Sequence, residues 1–339
     1  MPTTSENNKR IIELMKNGYD PFLDFLKGVC IVSVILNHSM GQYLREYALY
    51  YLWGQLAVPI FLLIQSYHVF RKEYISFGKQ QVVKVFHRIL LPCIVVTIVG
   101  FVILVLFKHI TFHEICRRII LGGGMGCDCG TYYVWIYLQF FILAPFTYWM
   151  FQRFNVNLLQ GGVIFILICM VVEVYYSYFH VSYYIYRLTC LRYLFLIYLG
   201  LIWSRKGILL NPLTMCLSLL SVILMFIIAY TDISLQPILS DFGWKEAHWL
   251  CYFYPAFLFI HIVNWGYNKL SVRLKGACIV LGKYSWEIFL MQMLFFTLVG
   301  PGKFDIVDNK YVMLLLYTMV ALVFSIVPVL ILKQLKIRR

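Results

Sequence analysis

The sequence has little charge and few acidic side chains. Charged residues make up 13% of the 339-residue chain, with 15 acidic against 29 basic residues. A soluble domain carries about 25% charged residues, so the composition excludes a soluble globular protein. Hydrophobic residues make up 62% and lie in long apolar runs, which leave no room for a nucleic-acid-binding domain. The composition predicts an all-α fold, a polytopic bundle of membrane helices.

The sequence also lacks a recognisable signal peptide, internal repeats, Pro-rich linkers and low-complexity tracts. Its first twenty residues are polar and contain no small-residue cleavage site. We therefore predict a single transmembrane domain over residues 1–339, with residues 1–20 as a short cytoplasmic N-terminal segment. A chain without a soluble domain of its own must work inside the bundle or at its mouths.

Ten apolar segments are candidates for transmembrane helices. They cover residues 23–44, 47–70, 89–107, 131–151, 158–178, 190–204, 209–231, 249–266, 279–300 and 311–333. An even number places both termini on the same side, and the segments on that side hold about twice as many basic residues as the others. This bias predicts that both termini lie in the cytoplasm. We expect an integral membrane protein of the bacterial plasma membrane.

Lys27 and His38 lie eleven residues apart in the first of these segments. Because a helix rises about 1.5 Å per residue, His38 lies roughly 16 Å beyond Lys27, near the middle of the hydrocarbon layer. A titratable group at that depth is a candidate functional residue. The alternative is a snorkelling lysine and a histidine that only bonds a neighbouring helix. His261 also lies within a segment, where we expect its side chain only to be hydrogen-bonded to a neighbour. His68 falls at the end of a segment.

Three acidic residues lie inside the predicted helices. Asp24 precedes Lys27 by three positions, so the two share one helix face. Glu287 either pairs with Lys283 or orients His38, and the sequence leaves both open. Glu173 is placed near the outer interface.

Two outer stretches carry further polar residues. Residues 232–248 form either a solvated loop with interfacial tryptophans or a lip that receives a sugar-like acceptor. Cys127 and Cys129 flank Asp128 and could bind a metal or form a disulfide with Cys116. No matching His/Cys cluster lies near, so we expect no metal site.

Five stretches in order carry a resemblance to a known family. The spacing Lys27-x10-His38, in a DxLKG(V/I) opening, resembles the acyltransferase 3 family of integral membrane acyltransferases. Four further stretches are similar to its later motifs: VPIFLLIQSY (58–67), HRILLP (87–92), GTYYVWIYLQ (130–139) and LGKYSWEIFLMQ (281–292). The resemblance covers essentially the whole chain. The chain departs from it at Gln65-Ser66, at Val85 and at Gln292, where other members carry Ser-Gly, Arg and His.

The resemblance implies transfer of an acyl group, usually acetyl, from cytosolic acetyl-CoA to a hydroxyl of a cell-surface or lipid-linked saccharide. Acetyl-CoA would be a co-substrate. On this reading His38 acts as general base or accepts the acyl group, and Asp24 or Glu287 orients it. The remaining predicted roles are donor phosphate binding by Lys27, Lys84 and Arg88, and acceptor binding by Tyr133, Trp135, Gln139 and Gln292.

Two other functions compete with this reading. A transporter or flippase of a lipid-linked saccharide would show paired repeats and broken helices, which the sequence does not show. A non-catalytic membrane partner with the same fold would have no need of the Lys27 and His38 pair. Expected partners are membrane lipid and a saccharide acceptor, not nucleic acid. The sequence leaves the oligomeric state open.

Overall fold

The structure, a computed structural model, describes residues 20–40, 49–71, 78–108, 110–114, 116, 130, 132–231, 233, 248–300 and 309–337. Within these ranges the chain forms helices and no strand, which confirms the all-α prediction. The helices are α1 Pro21–Ser39, α2 Ala57–Phe70, α3 Lys79–Val85, α4 Leu91–Lys108, α5 Tyr132–Arg153, α6 Leu158–Tyr178, α7 Tyr183–Leu188, α8 Leu194–Lys206, α9 Pro212–Tyr230, α10 Ile260–Lys269, α11 Val272–Lys283, α12 Ser285–Val299 and α13 Lys310–Ile337.

Tight turns join several of these helices into longer segments. A π-helical turn, Phe86–Leu90, connects α3 to α4, and another, Tyr254–Phe259, precedes α10. Short 3₁₀ turns lie at Tyr50–Leu52, Leu191–Tyr193 and Trp249–Tyr252.

The described helices do not confirm the predicted count of ten membrane spans. In the described part of the chain, seven helices are long and apolar enough to cross a membrane, or eight if the bent pair α11 and α12 counts as one span. That pair is bent by 74°. The predicted sixth segment is the 13-residue α8, and the predicted eighth is divided among 3₁₀, π and α turns. The membrane class is therefore confirmed, whereas the count of ten is not.

Helix α1 begins and ends at defined signals. Asp20 caps its first turn by accepting a hydrogen bond from the backbone N–H of Phe22 at 2.9 Å, and Pro21 occupies the first helical position. Both features favour a helix start. The helix ends at Ser39, earlier than the predicted residue 44. His38 thus lies in the last turn of α1 rather than in its middle.

Two contacts without intervening side chains fix α1 against α11. A Cβ on Gly28 would lie 2.0 Å from the carbonyl oxygen of Cys278, and one on Gly282 would lie 1.6 Å from that of Asp24. Only glycine permits such an approach, a feature that packed membrane helices use widely. The same principle brings α8 onto α2, where a Cβ on Gly200 would lie 2.4 Å from that of Ser66.

Helices α1 and α2 run antiparallel. Ser33 Oγ donates to the carbonyl of Trp53 at 3.1 Å, and Asn37 Nδ2 donates to that of Gly54 at 3.2 Å. The start of α2 therefore lies beside the end of α1, and the last turn of α2, at His68 and Val69, lines the same cavity as Lys27 near the beginning of α1. This arrangement, closed by α5 and α12, encloses the cavity described next, while large apolar side chains of α4, α6, α9 and α13 face outward.

Candidate active site

A cavity of about 370 Å³ runs along α1, α2, α5 and α12. Lys27 and His38 both line it. Their separation of eleven residues on one helix corresponds to about 16 Å along the axis. The cavity is therefore an elongated space with an ammonium group toward one end and an imidazole toward the other.

At the first end, Lys27 is held by Asp24. Their Nζ and Oδ1 atoms are 2.5 Å apart, as the spacing of three residues on one face predicts. Asp24 is buried, and fourteen residues separate it from His38, which is about 21 Å along the helix. The geometry thus assigns Asp24 to Lys27 and leaves it too distant to orient the imidazole, the alternative role predicted for it.

At the second end, His38 lies against Gly130 and Phe296. The ring of Phe296 is 5.6 Å from the imidazole, centre to centre. A Cβ on Gly130 would lie 3.9 Å from His38 Nε2 and 3.2 Å from Phe289 Cε2. Gly130 has φ +85°, a conformation that glycine adopts at little cost. The glycine of the GTYY motif therefore leaves a narrow space between the imidazole and the ring of Phe289.

A hydrogen-bonded cluster stands next to His38. Tyr50 donates its hydroxyl hydrogen to Asn37 Oδ1 at 2.9 Å and accepts one from Gln55 Nε2 at 2.9 Å. Asn37, Gly54 and Gln55 all line the cavity. This end of the cavity can therefore receive a polar molecule.

One side of the cavity is aromatic. Trp286 and Phe289 are stacked with ring centres 5.5 Å apart, Tyr133 meets Phe289 edge-on at 5.7 Å, and Tyr137 stacks on Trp286 at 6.5 Å. Phe61 completes the row at 6.0 Å from Tyr133. Tyr133, predicted to bind the acceptor, thus lines the cavity. Such a wall excludes water and offers flat apolar faces to a ligand.

Two predicted residues of α12 lie off the cavity. Ser285, Trp286 and Phe289 line it, whereas Glu287 and Gln292 are not among the lining residues. Glu287 is half-buried in the first turn of α12. Gln292 is fully buried, and its side-chain amide has no hydrogen-bond partner among the described residues.

Two predicted acceptor-binding residues of α5 have other surroundings. Trp135 is 48% exposed on the outer face of the bundle, as is common for interfacial tryptophans. Gln139 donates to the carbonyl of Leu188 at 2.6 Å and accepts from the N–H of Cys190 at 2.9 Å. These bonds join α5 to the segment after α7, so Gln139 has a structural task.

Of the three residues predicted to bind the acyl donor, one lines the cavity and two do not. Lys27 lines the cavity, whereas Lys84 and Arg88 are exposed and do not. Ile89, which follows Arg88, does line it. Lys84 and Arg88 are thus placed at the surface near the cavity, not within it.

The polar lining residues to which the sequence assigned no role include Gln65, His68 and Tyr137. Gln65 and His68 are three residues apart, so they occupy one face of α2. Gln65 Nε2 donates to the carbonyl of Tyr137 at 3.5 Å, and its Oε1 has no partner within the described chain. The apolar and aromatic residues at positions 58, 61, 64 and 69 lie on the same face of α2. Their helical spacing is the sequence signal that could have identified this face.

A second buried polar cluster lies outside the cavity. His248 Nδ1 is 3.4 Å from Glu173 Oε1 and 3.2 Å from the Tyr186 hydroxyl. The guanidinium of Arg192 lies over the rings of Tyr186 and Tyr193, at 5.4 and 4.4 Å from their centres. Glu173, Arg192 and His248 are each at most 2% exposed. Glu173 therefore points into the bundle and does not reach its surface.

In the ranges that the structure covers, no three His, Cys, Asp or Glu side chains are grouped as a metal site would require. Cys116 is a free thiol, and Cys127 and Cys129 lie outside the described residues. Most of the outer stretch 232–248 also lies outside them.

The fold and the cavity define a polytopic helical membrane protein with an ammonium and an imidazole in one elongated internal space. Residues 20–333 match the family described as an acyltransferase domain, which is nearly the whole chain. The protein therefore belongs to the acyltransferase 3 family and is an acyltransferase, as its five motifs predicted. No curated protein and no solved structure matches the chain.

Proposed function

We propose that the protein transfers an acetyl group from cytosolic acetyl-CoA to a hydroxyl of a cell-surface or lipid-linked saccharide. The observation that supports this most is the position of Lys27 and His38 in one cavity. A cation suits the phosphates of coenzyme A, and an imidazole suits proton transfer at neutral pH. The pantetheine arm is long and slender, and it would follow the aromatic wall from one group to the other.

His38 would take the proton from the acceptor hydroxyl as it attacks the thioester carbonyl. In the alternative route, its nitrogen attacks the thioester first and the acyl group then moves to the hydroxyl. The C–S bond breaks in either route. In the first route the thiolate takes the hydroxyl proton from His38; in the second it takes the N–H proton of the acylated imidazole, and the acceptor hydroxyl later returns a proton to the ring. The apolar wall keeps water from the thioester, and the polar cluster of Asn37, Tyr50 and Gln55 would receive the acceptor.

This proposal fixes an orientation in the membrane. Both termini would be cytoplasmic, with the Lys27 end open to cytosolic donor and the His38 end toward the acceptor. The positive-inside bias of the sequence supports this orientation. Labelling of a cysteine introduced at exposed position 79 from outside intact cells would contradict it.

The direct test is transfer of radiolabelled acetyl from acetyl-CoA to cell-surface glycans by purified protein in lipid nanodiscs. Mass spectrometry of the glycans from cells with and without the gene would identify the acetylated hydroxyl. Loss of acetylation without the gene is the expected result. Unchanged acetylation together with a lost saccharide lipid on the outer leaflet would favour a flippase instead.

A further inference from the structure

The cavity contains a basic side chain that neither the predicted chemistry nor the family motifs assign. His68 lies in the last turn of α2, lines the cavity and is exposed at its mouth. Among the described lining residues, Lys27, His38 and His68 are the basic ones. Two of the three have proposed roles, which leaves His68.

The antiparallel packing of α1 and α2 determines the depth of His68. Asn37 is bonded to Gly54, just before α2 begins, so the two helices are level at that point. Lys27 lies ten residues before Asn37 on α1, which is about 15 Å along the helix. His68 lies eleven residues after Ala57 on α2, which is about 16 Å in the same direction because the helices are antiparallel. Lys27 and His68 therefore stand at a similar depth, from two different helices, at the end of the cavity opposite His38.

Lys27 alone is a weak site for several phosphate charges. Its ammonium has three donors, and the contact at 2.5 Å with Asp24 uses one and offsets the charge. Lys84 and Arg88 do not line the cavity. His68 supplies one ring N–H when neutral and two when protonated, so it adds hydrogen-bond donors at the mouth.

We propose that His68 is a donor-binding residue, which together with Lys27 contacts the phosphate groups of the coenzyme A donor. This inference rests on the proposed function, because it takes coenzyme A as the donor carrier. It assigns His68 to binding and not to acyl transfer, since about 16 Å of helix separates its end of the cavity from His38. A lipid phosphate could meet the same two groups, so the test must separate the two sources.

The test compares coenzyme A with its phosphate-free fragment pantetheine. Their Kd values are measured by calorimetry for the wild type, His68→Ala and His68→Lys, in nanodiscs of phosphatidylcholine. We expect His68→Ala to weaken coenzyme A binding about tenfold, the loss of one charge-assisted hydrogen bond, and to leave pantetheine unchanged. His68→Lys should restore most of the affinity.

Kinetics supply a second readout that a structural defect would not mimic. His68→Ala should raise KM for acetyl-CoA and keep kcat, while both constants for S-acetylpantetheine stay at wild-type values. His261→Ala is the matched control, because His261 is a half-buried histidine that bonds the carbonyl of Ile208 at 3.2 Å and does not line this cavity.

Equal weakening of both ligands, or no weakening of either, would overturn the inference. So would an effect that appears only in nanodiscs with anionic lipid, because the contact would then be to a headgroup. Binding of coenzyme A that depends on His68, in a protein that transfers no acetyl group, would refute the proposed function and leave this inference standing. A wild type that binds no coenzyme A would refute both.

Discussion

Gly130 and His38 lie side by side although ninety-two residues separate them in the chain. The space that a Cβ on Gly130 would occupy lies 3.9 Å from the imidazole Nε2 and 3.2 Å from Phe289 Cε2. Gly130 and His38 also line the same cavity. The loop before α5 therefore shapes the candidate active site.

We predict that Gly130→Ala lowers acyl transfer more than it lowers stability. The methyl group would crowd Phe289 at 3.2 Å, and the φ of +85° costs a non-glycine residue roughly 1–2 kcal/mol. Transfer rate and thermal midpoint of the purified variant measure the two effects. Gly78→Ala, where a Cβ meets nothing within 4 Å, is the control. A fully active Gly130→Ala variant would contradict the role given to this space.

The contact between α1 and α11 gives a second prediction. Gly282→Ala should prevent native packing or lower the thermal midpoint strongly, because its Cβ would overlap the backbone oxygen of Asp24. The same helix carries a matched control, Gly276, whose Cβ would meet nothing within 4 Å. Gly276→Ala should be neutral or stabilise by about 0.5–1 kcal/mol through helix propensity. Equal thermal midpoints for the two variants would contradict the close packing of α11 against α1 at Gly282.

The surface residues Lys84 and Arg88 give a third prediction. If they attract the donor from the cavity's surroundings, the double variant Lys84→Ala, Arg88→Ala should raise KM for acetyl-CoA most at low salt. Interactions of exposed charges are screened within about 10 Å at 0.1 M salt, so the effect should fade as salt increases. Steady-state kinetics at several salt concentrations measure it. Unchanged donor kinetics at every salt concentration would remove both residues from the donor site.

The buried pair of Glu173 and His248 gives a fourth prediction. Glu173→Ala should destabilise the bundle by about 1–3 kcal/mol, since it leaves a fully buried imidazole with one polar neighbour fewer. Thermal unfolding can be followed by the reaction of a dye with buried thiols such as Cys169 and Cys251. Donor KM should stay at the wild-type value, because neither residue of the pair lines the cavity. A variant with normal stability and impaired transfer would instead place the pair in the catalytic path.

Local patterns in the sequence predicted one half of the site well. The depth of His38 relative to Lys27, and the pairing of Lys27 with Asp24, follow from helical rise and spacing within one helix. The aromatic row that includes Tyr133 was predicted only in part. On the same helix, Trp135 faces outward, and Gln139 forms hydrogen bonds with Leu188 and Cys190. A stretch of aromatic residues shows which helix lies near a site, but it does not show which face of that helix lines the site.

Contacts between distant segments could not be predicted from spacing. Glu173 and His248 are seventy-five residues apart, and their pairing depends on how α6 meets the 3₁₀ turn that begins at Trp249. His68 lies at the depth of Lys27 because α2 packs antiparallel to α1, and a single sequence does not give that direction of packing. The count of ten spans was not confirmed for a related reason: α8 is short, and the bend between α11 and α12 depends on tertiary packing.

The last prediction concerns His38 itself. It stands in the last turn of α1, lines the cavity and faces the space left by Gly130. His38→Ala should cut acyl transfer by at least about two orders of magnitude, the usual contribution of a positioned acid–base group. His38→Gln keeps a polar side chain but cannot exchange protons near neutral pH, so it should be equally inactive.

Both His38 variants should keep wild-type expression and a thermal midpoint near that of the parent, since the imidazole packs at the end of a helix and not in its middle. His261→Ala is the control, and it should retain transfer activity because His261 lies off the cavity. His68→Ala should change donor KM and not the rate at saturating donor. If His38→Ala kept more than about a tenth of wild-type transfer, the catalytic assignment would be wrong. The reacting groups should then be sought on α12, around Glu287 and Gln292.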